Sequence, residues 1–104
     1  MKPPTILVLD GEHRASLAVC RSLGRKGLPV VAGSEHQTSL AGSSRYIKKT
    51  VQYTSPYVSQ IDFIRDITDI IRKEKINILI PITDVSLFTV LKNYETLSPI
   101  VQVP

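Results

Sequence analysis

One cysteine, no tryptophan, two histidines and five glycines in 104 residues close off several chemistries before any pattern is read. A lone Cys20 excludes an intrachain disulfide and a thiolate metal cluster, so the chain has no staple of the kind small secreted domains use. No apolar run approaches the roughly 20 residues of a membrane span, and Met1-Lys2-Pro3-Pro4 leads into an apolar stretch too short for a signal sequence. The expectation is an untargeted cytoplasmic protein with no membrane partner. The balance of 13 Lys and Arg against 9 Asp and Glu gives +4, but the basic residues are scattered rather than laid along one stripe, which argues against nucleic acid.

What is present reads as one α/β domain over residues 1–104, a length that buries about two thirds of its unfolded surface in one core. Residues 5–9 are continuously apolar and β-branched, the pattern of a strand buried on both faces in a parallel sheet. Ala15, Ala18, Val19 and Leu23 share a helical face opposite Arg14, Arg21 and Arg25, and Gly27 stands where such a helix ends. Residues 29–32 predict a second strand, residues 33–44 a loop, and residues 49–53 a short edge strand blunted by Lys48 and Lys49. Ser59 with Asp62 three residues on predicts the start of a helix whose stripe is Phe63, Ile64, Ile67, Ile70 and Ile71, with room for an Asp69–Lys73 pair. Residues 76–82 predict a buried strand, and Asp84 a cap for a third helix directing Leu87, Val90, Leu91, Tyr94 and Leu97 inward. That helix stops at Ser98-Pro99, and residues 100–103 predict a last strand. Together these imply a three-layer, Rossmann-like α/β/α fold with a mainly parallel sheet of about five strands in the order 3-2-1-4-5.

In such a sheet, ligands bind beyond the strand C-termini where the winding direction reverses. The reversal falls between the first strand and the strand ending near Ile82, so the flanking loops are residues 10–14 and 83–86. The candidate substrate-binding residues are therefore Gly11, Glu12, His13, Arg14, Ser34, Thr83, Asp84 and Ser86. Arg45, in the basic cluster with Tyr46, Lys48 and Lys49, is added as a guanidinium able to reach the crevice. Asp84 has two readings, as a helix cap and as a carboxylate that orients a substrate amine.

Other chemistries fit less well. A dinucleotide fingerprint needs three glycines after the first strand, and only Gly11 is there, with Glu12 opposing a pyrophosphate; Glu35 as a ribose acid does not rescue it. His13 and His36 lie in different loops with no ligand pair at helical spacing, so His13 reads as a solvent-facing histidine and no metal ligands are assigned. Cys20, inside a helix with no neighbouring His, reads as a packing residue. A phosphorelay receiver would want a lysine after the last strand, and none follows.

Asp10-Gly11, Arg14-Ala15-Ser16-Leu17-Ala18 and Arg21-Ser22-Leu23-Gly24-Arg25-Lys26-Gly27 together resemble the opening of ATP-grasp superfamily proteins. Ser39-Leu40-Ala41-Gly42-Ser43-Ser44-Arg45-Tyr46 and Ile80-Pro81-Ile82-Thr83-Asp84 resemble later segments of the same region, in the same order. The similarity is to carboxylate–amine ligases and carbamoyl phosphate synthase large subunit-like proteins, in which this region is the Rossmann-like pre-ATP-grasp domain. The resemblance implies a substrate-side module with no catalytic residue or cofactor of its own. It further implies that ATP and magnesium are held by a separate ATP-grasp domain, the principal partner, with a small carboxylate as substrate. A stand-alone Rossmann-like module that binds a small anionic metabolite, regulatory or dimerising as a homodimer, is the alternative.

Overall fold

The computed structural model describes residues 2–104. Its elements run β1 (Ile6–Val8), α1 (Arg14–Arg25), β2 (Val30–Ser34), a 3₁₀ turn (Ala41–Ser43), β3 (Lys49–Gln52), α2 (Gln60–Lys73), β4 (Ile78–Ile80), α3 (Asp84–Lys92) and α4 (Tyr94–Leu97). All four strands are parallel, in the order β3-β2-β1-β4. Ile6 pairs with Val30 on one side and with Ile78 on the other, so β1 is central.

Alternation along the strands divides the core as a two-sided sheet requires. Leu7, Val31 and Leu79 point toward Phe63, Ile67 and Ile71 of α2 and Val90 of α3. Ile6, Val8, Val30 and Ala32 point the other way, toward Cys20, Val19 and Leu23 of α1. The chain therefore folds as helices on both faces of a parallel sheet. No helix among the described residues is long and apolar enough to cross a membrane.

The sheet has four strands rather than five. The expected last strand is reduced to one parallel bridge between Ile78 and Gln102, with Gln102 donating to Asn77 O and accepting from Leu79 N, both at 2.9 Å. Residues up to Val101 are taken up in the turn that closes α4, where Ile100 N and Val101 N both donate to Leu97 O. Pro104 has no N–H with which to extend the ladder.

Helix ends follow local chemistry closely. Gly27 adopts φ 83°, and its N–H and that of Leu28 return to Gly24 O and Leu23 O, a Schellman closure of α1. At the end of α2, Lys75 takes the same left-handed role at φ 54° without being glycine, and Ile76 N donates to Ile71 O at 2.9 Å. Ser59 caps α2 as expected, its hydroxyl accepting from Asp62 N at 3.1 Å. The pair on α2 is not Asp69–Lys73; among the described residues Arg65 instead bridges Asp62 at 3.0 Å and Asp66 at 3.7 Å. Lys49 on β3 pairs with Glu74 at 2.8 Å.

Two helices present faces other than those expected. Ala15 and Ala18 of α1 are exposed, while Ser16 and Cys20 are buried. Ser16 sets this rotation, because its hydroxyl lies 2.8 Å from Leu9 O and 2.6 Å from Asp10 O and shares one proton between them. The third helix is broken at Asn93, whose side chain donates to Thr89 O at 2.8 Å. Val90 and Leu97 are buried as expected, but Leu87, Leu91 and Tyr94 are 38%, 52% and 47% exposed. The inward stripe instead contains Ser86 and Thr89, small polar residues that find partners at Asp10 and at Val85 O.

Candidate functional site

Beyond the C-terminal ends of β1 and β4, where winding reverses, lies a cavity of about 460 Å³ lined by Glu12, His13, Glu35, His36, Tyr57, Thr83 and Asp84, among others. A neighbouring cavity of about 510 Å³ shares Glu35 and His36 and extends toward Tyr53, Thr54 and Asp66. Glu35 and His36 thus form the ridge between the two.

Asp10 builds the floor. It leaves β1 in the left-handed region at φ 61°, a conformation that Asp tolerates better than most side chains. Its residue is 5% exposed, and its carboxylate accepts three hydrogen bonds. Oδ2 accepts from Ile82 N at 3.0 Å and Thr83 N at 2.9 Å, and Oδ1 accepts from Ser86 Oγ at 2.7 Å. Its own N–H donates to Tyr53 Oη at 2.9 Å. One side chain therefore ties the end of β1 to the β4–α3 loop. Tyr53, packed edge-on against Phe63 at 5.3 Å, carries that tie across to the end of β3. Burial holds its phenol well above the usual tyrosine range, and the nearby charges of Asp10, Glu12 and Glu35 add to the effect.

The rim is arranged differently. Ser34, at the end of β2 and 2% exposed, donates its hydroxyl proton to Glu12 Oε1 at 3.0 Å and accepts from His36 N at 3.0 Å. The backbone carbonyl of Glu35 accepts from Gln52 Nε2 at 3.1 Å. Two loops, one after β1 and one after β2, are thereby fixed against each other. Glu12 Oε2 lies 3.9 Å from His13 Nε2, and Glu35 Oε1 lies 3.5 Å from His36 Nε2.

The residues expected at the site separate into three groups. Glu12, His13, Thr83 and Asp84 line the crevice. Gly11, Ser34 and Ser86 are buried beneath it. A Cβ at Gly11 would lie 2.8 Å from Ser39 Oγ and 3.1 Å from Gly33 O, so a larger residue there would have to displace the Ser39 side chain and press on the Gly33 carbonyl. Arg14 opens α1 and is exposed. Arg45 is not brought to the crevice at all; it lines a separate depression of about 450 Å³ with Arg21, Arg25 and Tyr46. There its guanidinium donates to Tyr46 Oη at 3.0 Å, and this bond, with the charge of Arg25 over the ring at 5.6 Å as a lesser contribution, pushes the Tyr46 phenol down.

The helix starts also differ from expectation. Thr83, not Asp84, caps α3, accepting from Ser86 N at 3.3 Å. Asp84 occupies the first helical position, exposed, and its carboxylate is left to face the cavity. His13 is the N-cap of α1 by position but makes no side-chain capping bond.

Sequence reading underweighted Asp10, Tyr53 and the Glu35–His36 pair. A polar residue closing a fully apolar strand was the available signal for Asp10; nothing local marks Tyr53, whose partner is 43 positions away. Cys20 is buried as expected, and burial pushes its thiol up to about 11, which suits packing rather than nucleophilic work. No protein-family model and no curated protein matches the chain.

Proposed function

We propose that this chain is the substrate-side, pre-ATP-grasp module of an ATP-dependent carboxylate–amine ligase, and that its crevice takes the amine-bearing substrate. The observation that carries this reading is the carboxylate lining of a cavity at the β1/β4 reversal, where Glu12, Glu35 and Asp84 face the opening. An ammonium group is stabilised among carboxylates by charge-assisted hydrogen bonds, and the exposed Asp84 has no competing capping duty. The same lining opposes a triphosphate and a free carboxylate. In this reading ATP and magnesium therefore belong to the ATP-grasp domain, which also receives the small carboxylate substrate. There the acid would attack the γ-phosphorus of ATP with loss of ADP, and the amine, its ammonium first giving a proton to solvent, would attack the acyl phosphate, forming the amide and expelling phosphate, with the second N–H proton passing to solvent. The residue order that resembles the pre-ATP-grasp region supports the assignment, as does the β3-β2-β1-β4 topology.

The alternative of a module sensing a small anion is disfavoured by those carboxylates. Titration of the labelled chain with methylammonium, acetate and ATP, followed by amide NMR shifts, separates the readings. Methylammonium is expected to move residues 10–14, 35–36 and 83–86, with Asp84→Asn weakening the response, while acetate and ATP leave these signals in place. The longest product of the gene is expected to release phosphate from ATP only with acid and amine present. Acetate binding in place of methylammonium, or phosphate release by residues 1–104 alone, would overturn the proposal.

A further inference from the structure

Glu12 and Glu35 stand on loops that follow different strands, yet their carboxylates converge with no lysine or arginine between them. Among the described residues their ion-pair partners are His13 and His36. Three acids of this chain are paired with strong cations among the described residues, Glu74 with Lys49 and Asp62 and Asp66 with Arg65. One donor atom from each of Glu12, Glu35 and His36 lies within 4.8 Å of the others. Coordination to one ion at about 2.0–2.2 Å asks these donors to close to roughly 3–3.5 Å of one another. Side chains on the solvent side of the two loops can make that adjustment by rotation, since His36 is 60% exposed. Buried Ser34 orients Glu12 through its hydroxyl, the outer hydrogen bonding that metal-bound carboxylates use, and also accepts from the backbone N–H of His36, which fixes the loop beneath it.

We propose that Glu12, Glu35 and His36 bind one divalent transition-metal ion of the zinc class at the mouth of the crevice. Two carboxylates and an imidazole match Zn²⁺ and its neighbours better than Cu⁺, which prefers sulfur, or Ca²⁺, which takes six or more oxygens. The two glutamates neutralise the ion, and three protein ligands leave a coordination position facing the cavity for water or a ligand. The site shares Glu12 and Glu35 with the ammonium reading, so a bound ion and methylammonium compete for them, while Asp84 is not among its ligands.

Calorimetric titration of the chelator-treated chain with zinc chloride tests the proposal. Saturation at one ion per chain is expected. Glu35→Gln and His36→Ala should each weaken binding at least about tenfold, and Ser34→Ala about tenfold through loss of orientation. Cys20→Ser should leave it unchanged, and amide spectra report whether each variant keeps its fold. Absence of saturable binding, binding that survives combined Glu12→Gln, Glu35→Gln and His36→Ala substitution, or binding lost in Cys20→Ser would each overturn it. Zinc is titrated with no amine present and methylammonium is titrated into the chelator-treated chain with Asp84→Asn as its control, so each proposal fails on its own readout.

Discussion

The carboxylates around the crevice fall into two kinds. Asp10 is buried and accepts from two backbone N–H groups and a serine hydroxyl. Glu12 and Glu35, at the rim of the same crevice, are partly exposed and among the described residues have only histidines for ionic neighbours. A buried carboxylate that holds three donors from a loop more than 70 positions away is chiefly architecture, since a ligand that drew it off would release those donors. One that accepts a single hydrogen bond, as Glu12 does from Ser34, or none from a side chain, keeps oxygens available for chemistry.

Substitution should expose that division, beginning with the largest effect. Asp10→Ala leaves Ile82 N, Thr83 N and Ser86 Oγ without an acceptor and places alanine in the left-handed region, so a loss of about 3–5 kcal/mol is expected in urea unfolding. Below it comes an alkaline effect. The folded state holds Cys20 neutral until about 11, against 9.0 for a free thiol, so the unfolded chain releases the proton first. Stability is therefore full below pH 9 and falls as pH rises toward 11, by about 2–3 kcal/mol from this group. Cys20→Ala should flatten that limb, and an unchanged slope would show the thiol is not the source. Tyr53, also held neutral by burial, extends the decline.

Tyr53→Phe removes the acceptor for Asp10 N–H and is expected to cost about 1–2 kcal/mol. Smallest are Glu12→Gln and Glu35→Gln, which should lie within about 0.5 kcal/mol of the parent, with relief of like charge tending to stabilise. If either cost as much as Asp10→Ala, the distinction between the two kinds of carboxylate would collapse.

Much of the fold was legible because its signals are local. The apolar run around Leu7, the glycine that closes α1 and the serine that opens α2 each act within a few residues, and the structure places them as read. The misread features depend on distant partners. Ala15 and Ala18 looked like a core face, but the rotation of α1 is set by Ser16 reaching back to β1. Leu91 and Tyr94 looked inward-facing, but inward space beneath α3 is occupied by Ser86 on Asp10, 76 positions away. At the crevice, the parallel β1–β2 pairing brings Glu12 beside Glu35 and His36, an association without helical or strand spacing to announce it. Lys75 is a separate lesson: the chain turns left-handed there with no glycine to mark it.

The reach of Asp10 also has a kinetic meaning. Its three acceptor contacts join positions 72, 73 and 76 residues apart, and contacts of such separation form only after the entropy of a long loop has been spent. Until β4 docks beside β1, the buried carboxylate has no donors from the β4–α3 loop and its left-handed backbone has less to hold it. The opening of the crevice and the completion of the sheet are then one event, and folding should report on Asp10 late, with substitutions there speeding unfolding more than they slow folding.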